Sequence, residues 1–208
     1  MQSRHLRKPS QLALVITFIA MIVLSATPVA AWSGITSPPL EYEWKYDGGI
    51  FGTFSVNKTT GYIRLKHDQT SGSSSAIAIL GAKITTPNTG SSWTIEFRIS
   101  YLCYYEAGGL FWGTYSLWTT IEISDANHNN VLDSYEDLAI NNQYSGSSHA
   151  TRQPTYQSSI SLDPDTDYYL DLVVEWGFHG WVWMHEYPGY GSAAEFDVTA
   201  IYWTFTEG

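Results

Sequence analysis

One cysteine in 208 residues, Cys103, leaves this chain without any intrachain disulfide. Basic residues are scarce as well, with ten Lys and Arg standing against twenty Asp and Glu. Three of the ten, Arg4, Arg7 and Lys8, fall in the first eight residues, so the remainder carries seven bases against twenty acids, a formal charge of −13. Nucleic acids and anionic membranes are bound through basic patches, and this balance argues against both as partners. Only one long apolar run occurs, from Leu12 to Leu24. Neither a Gly-x-Ser-x-Gly elbow nor a His-Glu-x-x-His zinc motif occurs, which removes two common hydrolase signatures.

The run that is there reads as an export signal. A basic start, the thirteen residues from Leu12 to Leu24 and the small residues Val29-Ala-Ala31 ahead of Trp32 make a secretory signal peptide over residues 1–31, cleaved after Ala31. The alternative, a retained anchor, needs an apolar run near twenty residues. Cleavage leaves 177 residues, one domain's length, with no second apolar run and no lipidation motif. Cys103 lies in an apolar strand-like run, Ile99 to Tyr105, and reads as a buried, inert thiol. Asn57-Lys-Thr59 is an N-glycosylation sequon.

Most of residues 32–208 is written in short β-branched and aromatic segments bounded by Gly, Asn, Pro, Ser or Asp. About nine strands are expected, with plain alternation in Thr94 to Ser100 and Phe196 to Phe205. The expected fold is all-β: a two-sheet antiparallel β-sandwich, jelly-roll-like, with one short helix over Tyr135 to Ile140.

The stretch Asp125-Ala-Asn-His-Asn-Asn-Val-Leu-Asp-Ser-Tyr-Glu136 has the spacing of a calcium loop. Oxygens at positions 1, 3, 5, 7, 9 and 12 can wrap one hard divalent ion. Here those positions hold Asp125, Asn127, Asn129, Val131 through its carbonyl, Asp133 and Glu136. Position 6, which needs a left-handed backbone, holds Asn130, and position 8 holds an apolar residue, Leu132. These twelve residues resemble EF-hand loops, and more closely their extracellular dockerin-like versions. The resemblance implies bound Ca2+ of modest affinity. The β-branched residues before Asp125 read as a strand where that family has a helix, so a rigid site rather than a switch is expected. The competing reading is an Asx-rich turn between two strands.

The strand rhythm of Gly52 to Leu65, Ser75 to Pro87 and Trp93 to Ile99 is similar to the first strands of concanavalin-like and laminin-G-like sandwiches. That similarity implies polysaccharide binding or cleavage. Nine Trp and fifteen Tyr supply flat apolar faces on which sugar rings stack. Trp181 and Trp183 are two apart and fall on one face of a strand, while Trp112 and Trp118 precede the Asp125 loop. Each of these four indoles is either a glycan platform or core filling. His179 and His185 flank the Trp pair and would share its strand face, though no third metal ligand accompanies them. A retaining glycosidase would need two facing carboxylates, for which Glu175 and Glu186 are the available pair.

The residues point to a secreted, calcium-stabilised sandwich that binds an extracellular glycan or surface polymer and carries no catalysis. The alternative is a structural subunit of a calcium-dependent extracellular assembly, self-associating through the strand Glu41 to Tyr46. A glycoside hydrolase stands third.

Overall fold

β6 (Trp93–Gly109) shows how this sequence makes sheet. Its odd-numbered residues from Trp93 to Ala107 are buried, and Glu96 and Arg98 between them face outward. A period of two puts one face of a strand against a core and the other toward water. Each large apolar side chain so buried contributes about 1.5–3 kcal/mol. The computed structural model from which this architecture is taken describes residues 31–110, 112–185 and 193–208.

The larger sheet has nine strands. They are β1 (Ala31–Thr36), β3 (Gly52–Asn57), β4 (Tyr62–Thr70), β6, β9 (Ser145–Arg152), β10 (Thr155–Gln157), β12 (Val182–His185), β13 (Ala194–Glu195) and β14 (Val198–Glu207). The smaller sheet runs β2 (Tyr42–Gly48), β5 (Ser73–Thr85), β11 (Asp167–His179), β7 (Thr114–Asp125), β8 (Val131–Gln143). Every pairing is antiparallel. The core lies between the sheets. Trp176 of the smaller sheet packs edge-on against Phe54 of β3 and against Phe196. His67 is fully buried there, stacks on Phe178 with ring centres 4.1 Å apart and accepts the Phe51 N–H. Burial pushes its pKa down to about 4.

The all-β, two-sheet expectation holds, and no helix occurs among the described residues. The expected helix over Tyr135 to Ile140 is strand instead: these residues lie inside β8, paired with β7 from Ser124↔Val131 to Tyr115↔Gln143. Six residues with good helix propensity form at best a marginal helix alone. The open edge of β7 offers them a ladder of backbone hydrogen bonds, and that tertiary partner overrides propensity. β9, written Ser-Gly-Ser-Ser-His-Ala-Thr-Arg, carries no strand signal and is strand because β6 is long enough to pair it. The signal-peptide reading concerns residues 1–30, outside the described residues, and Ala31.

Two ends of the sandwich matter below. β7 and β11 lie side by side along their whole lengths, from Thr114↔His179 to Asp125↔Tyr168. Trp112 and Trp181 adjoin the first end and the Asp125 loop closes the second.

Candidate functional site

The stretch from Asp125 to Glu136 is a hairpin whose first half is the turn and whose second half is strand. Asp125 N–H donates to the Asn130 carbonyl at 3.0 Å, closing the turn between β7 and β8. The Asp125 carboxylate accepts the N–H groups of Asn127 and Asn129 at 3.1 and 2.9 Å and the Asn130 side-chain amide at 2.7 Å. Those donors hold its pKa below the usual carboxylate range, the Asn129 N–H most of all. The left-handed residue is His128, with φ 54°, rather than Asn130.

The six expected ligands are not brought together. Glu136 is the cross-strand partner of Thr120, five residues before Asp125 on β7. Five strand residues span about 16 Å, whereas two oxygens on one calcium ion sit within about 5 Å of each other. Val131 lies in β8 against Ser124, and Asp133 turns inward to the other sheet. The donor set does not fit a single calcium shell in this geometry. No group of three or more His, Cys, Asp or Glu able to hold a metal exists among the described residues.

What Asp133 does instead is join the sheets. Asp133 accepts from Tyr156 Oη at 2.9 Å and Ser158 Oγ at 2.5 Å, at and beyond β10. Four residues on, Asp137 accepts from Tyr101 Oη at 2.6 Å and from Arg152 Nε and Nη2 at 2.6 and 3.0 Å. Arg152 is on β9 and Tyr101 on β6, so β8 of the smaller sheet is tied twice to the larger one. Asp137 in turn holds the Arg152 guanidinium charged, raising its pKa. A carboxylate facing inward costs free energy unless it is hydrogen-bonded or paired; Asp133 is hydrogen-bonded, and Asp137 is both hydrogen-bonded and paired with Arg152.

A second cluster, on the outer face of the smaller sheet, escaped the sequence reading. Asp171 of β11 is fully buried there. Ser124 Oγ donates to it, and His128 Nε2 lies 3.3 Å away. The His128 ring is stacked on Tyr42, with ring centres 3.4 Å apart. A Cβ on Gly81 would lie 1.8 Å from the Asp171 carboxylate, so only glycine fits beside it. Glu122 is the direct cross-strand partner of Asp171, and burial, then the Asp171 and Glu175 charges, raise its pKa to about 7. Gly81 facing Asp171 is legible only once the register Asp171↔Gly81 is known.

The four tryptophans separate into different places. Trp112 and Trp181 are 53% and 40% exposed and share one end of the sandwich. The Trp112 indole lies over Gly180, whose missing Cβ would meet the ring at 2.4 Å, and beside the His179 ring at 5.4 Å. Gly113 packs against the Trp181 backbone, and the Trp181 carbonyl accepts the Leu110 N–H at 2.7 Å. Leu110 and Tyr144, also exposed, complete an apolar end. Trp183 is half-buried on the outer face of the larger sheet, over Gly108. Val182 and Met184 take the core side, so the Trp183 indole faces outward. Trp118 is half-buried on the outer face of the smaller sheet, opposite Glu175.

His179 and His185 do not share a face. Gly180, with φ 73°, breaks the segment into β11 and β12, which belong to different sheets. His179 Nδ1 pairs with Ser73 Oγ at 2.7 Å, and His185 Nε2 with Asp68 at 3.2 Å. Glu175 is exposed and Glu186 lies outside the described residues. Cys103 is fully buried, with its pKa raised to about 11 chiefly by burial. Asn57 ends β3, and its side-chain oxygen accepts the Thr60 N–H at 3.2 Å.

No family profile and no curated protein matches the chain. Solved structures give faint likenesses. Dimeric latent PorU from Porphyromonas gingivalis is 12% identical, with a TM-score of 0.32 over 86% of this chain and 13% of that one. The infectious bursal disease virus Gx strain structure is 11% identical, with a TM-score of 0.27 over 85% of this chain and 39% of that one. A bacterial lipoprotein from Bacteroides thetaiotaomicron is 8% identical, with a TM-score of 0.25 over 83% and 99%. The chain thus spans well under half the length of the first two, and at these TM-scores no likeness carries an argument.

Proposed function

We propose that this is a secreted β-sandwich of jelly-roll type that binds an extracellular glycan or surface polymer through Trp112 and Trp181, without catalysis. The observation that carries the reading is the pair of exposed indoles at one end of the sandwich, where the Trp112 ring lies over Gly180 and the Trp181 backbone lies against Gly113. A sugar ring offers an apolar C–H face to such a platform, and rigid aromatics lose little entropy on binding. Trp183 and Trp118 are expected to contribute less, because each is half covered in place. A glycan array tests this directly. Specific binding by the wild type that falls at least tenfold in both Trp112→Ala and Trp181→Ala supports it, and a blank array or undiminished binding by both variants overturns it.

A second reading, self-association in an extracellular assembly, has its own support. β2 is an edge strand of the smaller sheet, and Trp44 and Tyr46 on it are 44% and 51% exposed. An uncovered edge can add to a neighbour's sheet. Concentration-dependent growth in light scattering, together with a blank array, would favour this reading.

A further inference from the structure

A cavity of about 320 Å³ opens at the end of the sandwich away from Trp112. Trp32, Trp203 and Phe205 form its aromatic wall, and Pro87, Asn88 and Asp165 lie across from them. The register of β1 on β14 explains the wall. Gly34 pairs with Trp203, and a Cβ there would come within 2.3 Å of the indole, so this glycine lets the ring lie against the β1 backbone. Trp32 pairs with Phe205 and shares its face of β1 with Gly34, which sets the second indole diagonally beside the first. Phe205 is buried, Trp203 half-buried and Trp32 56% exposed, giving a floor and an open lip.

The opposite side is polar. Asn88 and Asp165 line the cavity, and their side chains form no hydrogen bond or ion pair among the described residues. A carboxylate accepts from hydroxyls, and an amide both donates and accepts. An apolar wall with a few open polar groups, in a volume at the lower end of the roughly 300–1,000 Å³ range of small-ligand sites, suits a ring carrying hydroxyls.

We propose that this cavity is a second glycan site, holding a single pyranose unit against the Trp32 and Trp203 wall, so that one domain is bivalent. The inference rests on the glycan reading of Trp112 and Trp181. β5 measures the separation. The Gly180 N–H, under the Trp112 ring, bonds the Gly72 carbonyl just before β5 begins, and Thr85 at its far end lines the cavity. Twelve strand steps from Ser73 to Thr85 make about 40 Å. Sites that far apart engage different stretches of a polymer, or two polymers, and so cross-link chains and gain avidity.

The test uses hexasaccharides of glucose, mannose, xylose and galactose in calorimetry, and the parent polysaccharides in a turbidity assay. The wild type is expected to bind two hexasaccharides per chain and to cloud the polysaccharide. Trp32→Ala and Trp112→Ala should each bind one and fail to cloud it, and the double variant should bind none. Asp165→Asn, which leaves the β1 strand untouched, should weaken the second site alone. If Trp32→Ala and Asp165→Asn both bind two per chain and cloud as the wild type does, the second site is overturned while the first stands. If the wild type binds none of the sugars, the glycan reading itself fails and takes this inference with it.

Discussion

Removing Asp133 distinguishes a carboxylate that joins two sheets from one that ligates calcium. Its oxygens accept from Tyr156 Oη at 2.9 Å, Ser158 Oγ at 2.5 Å and the Ser134 N–H at 3.0 Å. Hydrogen bonds to a charged group contribute about 1.5–3 kcal/mol each when well buried. Asp133 is half-buried, and water can replace part of what Asp133→Ala removes, so the two inter-sheet bonds together come to about 2 kcal/mol. For a domain of this length, that lowers Tm by about 4–8 °C. Asp133→Asn, which keeps an acceptor oxygen, should fall between. The assay is a thermal melt followed by circular dichroism, in millimolar calcium and again in EDTA. The structure predicts the same drop in both. A shell with a Kd near millimolar would instead raise the wild type by about 1 kcal/mol or less in calcium, and only there. A drop confined to calcium, or no drop at all, refutes the reasoning.

Three further outcomes follow from buried groups. His67 has a folded pKa near 4 against an ordinary 6.5, so the stability that its neutral form contributes is complete above pH 6.5 and is lost as pH falls toward 4. The loss totals about 3 kcal/mol; urea midpoints of wild type and His67→Phe should converge across that window, and parallel profiles would count against it. Glu122, raised to about 7, acts oppositely: its neutral carboxyl stabilises below about pH 4.5, and that contribution is lost as pH rises through 7. Glu122→Gln should therefore gain on the wild type in denaturation midpoints above pH 7, and an unchanged difference from pH 4 to 8 would contradict this. Cys103, fully buried with its thiol pushed up to about 11, should react with a thiol reagent only at the rate of unfolding. Fast labelling of the native protein would show otherwise.

The sheets were largely legible because alternation along β6 and β14 is strong and each segment is bounded by turn residues. β8 was not, since its acids at 133, 136 and 137 fit a calcium loop and then a helix equally well on paper. What decided their role lies elsewhere in the chain. Tyr101, Arg152, Tyr156 and Ser158 become partners of β8 only when the second sheet is laid over it. The Asx-turn alternative for Asp125 to Asn130 describes the hairpin that forms, with Asp125 as its organiser. Trp181 and Trp183 were read as sharing one strand face, but β12 begins at Val182, and which side of Trp183 met the core depended on Val182 and Met184 finding β4 and β6. The Trp32 and Trp203 cavity was invisible for a similar reason. Its two indoles are 171 residues apart, and Trp32 was read only as the residue after a cleavage site.

Hydroxyl-radical footprinting of the protein on a bound polysaccharide tests the central claim most directly, because it reads each indole separately. The account predicts that Trp112 and Trp181 oxidise readily when free and are protected when bound, while the buried Trp93 and Trp176 stay unreactive throughout. Bound polysaccharide with Trp112 and Trp181 still oxidised at their free rates would contradict it.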